Sequence, residues 1–495
     1  MAKTIMVQGT TSSAGKSLLV TALCRIFYED GYNTVPFKSQ NMALNSFITD
    51  EGLEMGRAQV VQAEACCVKP KVAMNPILLK PTTDRKSQVI IEGRVFKNMD
   101  AAEYHNYKKK LKDIILKNFR KLSDSFDVIV LEGAGSPAEI NLRENDIVNM
   151  GMAEMADSPV IIVADIDRGG VFASIVGTIF LLSDDEKRRV KGVVINKFRG
   201  DIKLLEPGLK QLEEIINIPV LGVIPYLDVI IEDEDSVTEK FKKKNAGKKI
   251  KVVVVRLPRI SNFTDFDAFT LYDDVSLEYV VDKEELDDAD LVIIPGTKNT
   301  IDDLVWLKES GIAEKIIELN KKNVSIAGVC GGYQMLGKSI EDAHGIESSL
   351  PQIDGLGIID MTTIMEKEKI TIQTDGELIN THGILQGMDG IKINGYEIHM
   401  GKSISSEKNE FIKNKKNNGS YLKDNVFGTY IHGIFDNAEF SKGLLNNIRE
   451  SRGLESFNGN TDYQEFKMDQ FKKLADEVRK ALDMDKIYRI LDIEE

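Results

Sequence analysis

Short apolar runs alternate along the chain with stretches in which apolar positions return every three or four residues. Runs at 5–7, 128–131, 160–164 and 193–195 read as strands. Leu19, Leu23, Ile26 and Phe27 recur at helical spacing just after the first of them. This is the β-α-β rhythm of a doubly wound, mostly parallel sheet. The rhythm stops where Ile231-Glu232-Asp233-Glu234-Asp235 gives way to Lys242-Lys243-Lys244-Asn245-Ala246-Gly247-Lys248-Lys249, a stretch acidic and then basic. It reads as a linker, with a long solvated hairpin as the alternative. Strand-like runs resume at 251–255, 291–294, 324–329 and 426–431. Farther on, Phe466, Phe471, Leu474, Val478 and Leu482 fall near one face of a helix. The expected organisation is an α/β domain over 1–232, a charged linker over 233–249, a second α/β domain over 250–445 and a helical tail over 446–495.

Charge narrows the function classes. With 64 basic and 78 acidic residues the formal charge is -14, which argues against a general nucleic-acid or membrane-surface role. No apolar stretch is long enough to span a bilayer. Met1-Ala2-Lys3-Thr4 runs straight into a strand, which predicts no signal peptide. Four cysteines are too few for a disulfide framework, so a reducing cytoplasm is the expected compartment. The partner expected is a small molecule, with room left for a homo-oligomer.

Candidate chemistry sits at both ends of the strand rhythm. Gly9-Thr10-Thr11-Ser12-Ser13-Ala14-Gly15-Lys16-Ser17 follows the first strand and opens the first helix. Backbone N–H groups of such a loop cradle phosphates. Lys16 would reach the β and γ phosphates, and the Ser17 hydroxyl would ligate Mg²⁺ of bound ATP. Five residues rather than four separate the first Gly from Gly-Lys. Glu132 and Asp165 close two apolar strands, where open α/β sheets hold ligands; each is a candidate Mg²⁺ ligand or water-holder, or a helix N-cap. Asn196 could read an adenine edge or shape a turn. Lys38 could meet phosphate or a substrate carboxylate, or lie on the surface.

Cys330 lies in Gly328-Val329-Cys330-Gly331-Gly332, directly after an apolar run. A strand followed by Gly-x-nucleophile-x-Gly is a nucleophile elbow. Its base would be His432, in Gly428-Thr429-Tyr430-Ile431-His432-Gly433, with His399 as the rival. The N–H of Gly331 and one from the loop containing Gly296 would hold an oxyanion. Gln334, one helical turn past the thiol, would face the same pocket.

The run from Gly328 to Gly337 and Tyr430-Ile431-His432-Gly433 resemble a class I, triad-type glutamine amidotransferase domain. The resemblance implies that Cys330 attacks the carboxamide of glutamine and releases ammonia. The family's Glu two residues after the His is replaced here by Ile434. That departure marks the branch fused to corrin and related amide ligases, and it leaves the third triad member open. The first half resembles dethiobiotin synthetase-like ATPases, which share the stretched phosphate loop. Further segments, among them the run from Phe37 to Ser46, Glu132-Gly133-Ala134-Gly135-Ser136-Pro137 and Gly395-Tyr396-Glu397-Ile398-His399-Met400-Gly401, resemble the glutamine-dependent amide ligases of cobalamin biosynthesis. The resemblance implies MgATP, glutamine as nitrogen donor, a corrinoid substrate activated as an acyl phosphate, and substrate contacts from Asn41, Asn45 and His399. Two alternatives stay open: a related ligase acting on another corrin position or a cell-wall lipid, and a partitioning-type ATPase switch.

Overall fold

The computed structural model describes residues 1–82, 86–232, 241, 247–415, 419–459 and 461–493. Most of the charged stretch at 233–249 lies outside the described residues. Two compact units result: Met1–Ala43 with Met55–Glu234 and Lys467–Glu495, and Leu44–Glu54 with Asp235–Phe466.

The first unit is built on a six-stranded parallel sheet in the order Val220–Pro225, Val190–Phe198, Val160–Asp165, Lys3–Gly9, Val128–Glu132, Thr34–Phe37. Its strands are nearly continuous Val and Ile because both faces are covered. Val7 pairs with Glu132, Gly9 with Val163 and Asp165 with Asn196. This register brings the phosphate loop and both acidic strand ends to one edge. The helix Lys16–Glu29 buries Leu19, Leu23, Ile26 and Phe27, the positions its spacing predicts. A small second sheet, Gln40–Met42, Ile77–Pro81, Lys86–Ile91 and Arg94–Asp100, is antiparallel except for its first pair.

The helical tail packs on the first unit. From the helix Tyr463–Ala481 onward, Leu474, Ala475, Val478, Leu482 and Ile487 are buried in one core with Leu19, Leu23, Leu221 and Ile224. Gly222 admits this approach: a Cβ there would lie 2.1 Å from the carbonyl oxygen of Ala481.

The second unit carries a sheet in the order Val275–Val280, Ile250–Val255, Leu291–Ile294, Ser325–Val329, Val426–Thr429, Ser420–Lys423, parallel except for its last pair. A second sheet is dominated by the antiparallel pair Met361–Leu378 and Lys392–Ser405. The apolar run at 426–431 is therefore divided. Val426–Thr429 belongs to the parallel sheet, whereas Ile431–His432 pairs with Glu397 and Tyr396 in the other. Residues 44–54, from the N-terminal half of the sequence, fold into this unit. The Tyr396 hydroxyl donates to Ser46 O at 3.0 Å and the Thr371 hydroxyl to Gly52 O at 2.9 Å. Among the described residues no helix is long and apolar enough to cross a membrane.

Candidate active sites

Cys330 ends the strand Ser325–Val329 and precedes the helix Gly331–Leu336 at φ 52° and ψ −108°. A positive φ costs a residue with a Cβ on the order of 1–3 kcal/mol, and such strain concentrates where a fold must aim a side chain. The neighbouring glycines permit it: a Cβ on Gly332 would lie 1.9 Å from Ile294 O. The thiol is buried, and its Sγ lies 3.4 Å from Ile398 O.

His432 is fully enclosed. Its Nδ1 meets Asp265 Oδ2 at 2.6 Å, and the Gly433 N–H donates to Asp265 Oδ1 at 3.2 Å. Tyr396 stacks on the imidazole, with ring centroids 5.3 Å apart and planes at 21°. Gly296 closes the other side: a Cβ there would press on His432 Cε1 at 3.0 Å and come within 3.6 Å of Cys330 Cβ. Burial alone would push the imidazole toward neutrality. The Asp265 carboxylate and a hydrogen bond with Cys330 outweigh it and raise the His432 pKa from 6.5 to about 10. The group beside the sulfur is thus an imidazolium at neutral pH, able to give a proton to a departing nitrogen.

Asp265 is the acid the sequence reading lacks. It lies on the 3-10 segment Phe263–Leu271, 167 positions before His432. Phe263, Phe266 and Phe269 fix that segment, and the latter two pack on Phe435 at 5.7 and 5.0 Å. Ile434, in the position of the expected Glu, is buried in the apolar core. The only hint in the sequence is an acidic pair, Asp265 and Asp267, set between phenylalanines after a strand, and nothing there chooses between the two.

Gln334 is held at both ends: Oε1 accepts from the Thr300 hydroxyl at 3.0 Å, and Nε2 donates to Tyr430 Oη at 3.2 Å. Gly331 abuts the loop after Ile294, where its Cβ would meet Thr297 N at 3.3 Å. The rival base His399 is committed elsewhere. Its Nδ1 lies 2.7 Å from Gly401 O, its Nε2 3.4 Å from Glu397 Oε2, and its ring stacks on Tyr430 at 3.7 Å. It contributes to the wall beside the thiol, and neither nitrogen is aimed at the sulfur.

In the first unit Gly15 takes φ 98°, and Lys16 begins the helix. Lys16 Nζ is held by the carbonyls of Thr11, Ser12 and Gly135 at 2.9–3.1 Å. Thr10 is tied into the sheet through its N–H to Val163 O at 3.0 Å. The Ser17 hydroxyl donates to Glu132 Oε1 at 2.8 Å, and Lys38 Nζ pairs with the same oxygen at 2.9 Å. Asp165 is arranged differently. Lys197 Nζ holds its Oδ2 at 2.8 Å, and the Asp167 N–H donates to its Oδ1. Asn196 donates from Nδ2 to Ala14 O at 3.0 Å and accepts the Lys197 N–H on Oδ1. It braces the phosphate loop with both ends of its amide rather than offering them to a base. Of the residues expected at the substrate, Lys38 and Asn41 lie in the first unit, and Asn45 and His399 in the second. Asn41 donates to Gln59 Oε1 at 3.1 Å.

Two family models match, one to each half. Residues 5–238 match the CobQ/CobB/MinD/ParA nucleotide binding domain, and residues 251–440 the CobB/CobQ-like glutamine amidotransferase domain. A cobyric acid synthase of Thermoanaerobacter sp. (strain X514) is 53% identical over 503 residues, covering 99% of both chains. The chain belongs to the cobyric acid synthase family. Another cobyric acid synthase, of Clostridium botulinum (strain Loch Maree / Type A3), is 52% identical over 501 residues, again with 99% of each chain covered. The solved structure of PurLQS from Thermotoga maritima is similar to 40% of this chain over 98% of its own, at 20% identity and a TM-score of 0.33. Membership of the cobyric acid synthase family sets the thiol site in a glutamine-dependent, ATP-using amidoligase.

Proposed function

We propose that this chain amidates the b, d, e and g side-chain carboxylates of adenosylcobyrinic acid a,c-diamide, with ATP as activator and glutamine as nitrogen donor, ending at cobyric acid. Two chemistries carried by one polypeptide support the reading most: a Cys–His–Asp line suited to freeing ammonia, and a phosphate loop suited to activating a carboxylate.

In the second unit the Cys330 sulfur, its proton passed to His432, forms a bond to the glutamine side-chain carbonyl carbon. The Gly331 N–H and one from the loop of Gly296 hold the oxyanion, and His432 gives the proton with which nitrogen leaves as ammonia. Water then cleaves the thioester, yielding glutamate and restoring the thiol. In the first unit a corrinoid carboxylate oxygen takes the γ-phosphoryl group of ATP, leaving ADP. Ammonia displaces phosphate from the resulting acyl phosphate and forms the amide. Ammonium dominates near neutral pH, so making ammonia at a thiol site raises its effective concentration.

Ser17 and Glu132 present two oxygens 2.8 Å apart beside the phosphate loop, a donor set that fits Mg²⁺ completed by phosphate and water oxygens. When bound, that ion would neutralise charge developing on the transferred phosphoryl group. Lys38, paired to Glu132, is placed to take a phosphate or carboxylate oxygen in exchange. Asp165, held by Lys197, is the weaker candidate ligand.

The test is a substrate panel with MgATP and glutamine, read by product mass. The a,c-diamide should gain four amides in succession. Amidation of cobyrinic acid at a and c instead, or of a cell-wall lipid intermediate, would replace this reading with a sister ligase. ATP-driven dimerisation with no glutaminase activity would replace it with a partitioning-type switch.

A further inference from the structure

We propose that Lys298 and Glu347 form the site that recognises the α-amino acid end of glutamine, Lys298 taking the carboxylate and Glu347 the ammonium group. This rests on the reading of Cys330 as a glutaminase nucleophile and extends it to the part of the substrate remote from the reacting carbon.

The placement follows from contacts around the elbow. The loop that begins with Pro295 leans on Gly331, the residue after the nucleophile: a Cβ there would meet Thr297 N and Thr300 Oγ1, both at 3.3 Å. Lys298 lies between those two contacts. Its N–H donates to Arg259 O at 3.0 Å, and the Thr297 hydroxyl donates to the same oxygen at 3.0 Å. Arg259 is itself fixed to Asp303 at 2.8 Å. On the far side of Thr300, its N–H donates to Glu347 Oε2 at 2.8 Å, while its hydroxyl donates to Gln334. Gln334 in turn joins Tyr430 and, by stacking, His399, the neighbour of Ile398 whose carbonyl faces Cys330 Sγ. Lys298 is thus carried by the loop that packs on Gly331, the residue after the nucleophile, and Glu347 is bonded to that same loop through Thr300.

Their charges are the unsettled ones around this loop. The neighbouring Lys369 and Glu54 already pair at 2.6 Å. Among the described residues, Lys298 Nζ makes neither a hydrogen bond nor an ion pair, and the Glu347 carboxylate faces no cation in contact. Both are partly buried, and each feels the other's charge without touching it. Burial pushes the Lys298 ammonium down and the Glu347 carboxyl up, the direction expected of groups short of partners. Glu347 cannot turn away easily, because Asp342 accepts the N–H groups of Ile346, Glu347 and Ser348 and holds that turn. A zwitterion whose carboxamide lies at Cys330 carries one charge for each. Desolvated, correctly signed partners discriminate strongly against substrates that lack the matching group.

The test measures glutaminase kcat/KM for L-glutamine and for 4-aminobutanamide, which lacks the α-carboxylate, in the full chain. For Lys298→Met, kcat/KM for glutamine should fall at least tenfold, mainly through KM, and that for 4-aminobutanamide should change little, so that their ratio collapses. Glu347→Gln should do the same to the ratio between glutamine and glutaramate, which lacks the amine. The urea midpoint of the second unit, which holds both residues, reports whether these variants fold. Unchanged ratios in a folded variant, or an equal loss for both amides, would overturn the assignment. A wild-type chain without any glutaminase activity would instead overturn the underlying reading of Cys330.

Discussion

The Asp265 carboxylate decides how His432 behaves. It holds the imidazole from the side opposite the thiol and accounts for most of the rise to about 10 that survives burial. Replacing Asp265 by Asn keeps the shape and removes the charge. Turnover of glutamine should fall on the order of 10²–10⁴-fold, the usual scale of acid–base assistance. The alkaline limb of the pH–rate profile, set by loss of the His432 proton, should move well below its wild-type position near pH 10. Stability follows the same sign. The folded state keeps a proton that the unfolded chain releases near 6.5, so this stabilisation is complete below pH 6.5 and disappears as pH climbs to about 10. Denaturant midpoints across that window should fall in the wild type and stay flatter in the Asp265→Asn variant. At this scale Cys330 and His432 could be read from their flanking glycines, because an elbow and a strand end leave local marks. Asp265 could not, since its role arises from two segments meeting in the fold.

Elements show the same division between local and distant information. The parallel strands were legible because strands buried on both faces must be apolar throughout. The long pair Met361–Leu378 and Lys392–Ser405 escaped that reading: its sides alternate between buried and exposed, and many of its residues are charged. The tail helix was legible as a helix, but its apolar stripe does not name the surface it covers. That surface is the core holding the first helix of the chain. Leu474→Ala should therefore destabilise the first unit by roughly 2–5 kcal/mol, seen as a lower urea midpoint for nucleotide-site unfolding. A midpoint unchanged from wild type would mean the tail packs elsewhere. Gly296→Ala is the matching probe in the second unit. Its methyl should press on His432 and depress glutaminase turnover more than stability.

For the whole molecule, the proposed function divides the labour, with nitrogen released in one unit and the carboxylate activated in the other. Lys16→Ala should remove amidation with either nitrogen source while glutamine hydrolysis persists; retained ammonia-driven synthesis would contradict the role given to the phosphate loop. The most direct test of the central claim follows the nitrogen itself. Adenosylcobyrinic acid a,c-diamide would be incubated with MgATP and glutamine labelled with ¹⁵N in the side-chain amide, with wild type and with Cys330→Ala, and the corrinoid product weighed by mass spectrometry. Four labelled amides are expected from the wild type. From Cys330→Ala none is expected with glutamine, and unlabelled amides once ammonium salt is added. Labelled product from Cys330→Ala, or a wild-type product without label, would contradict that claim.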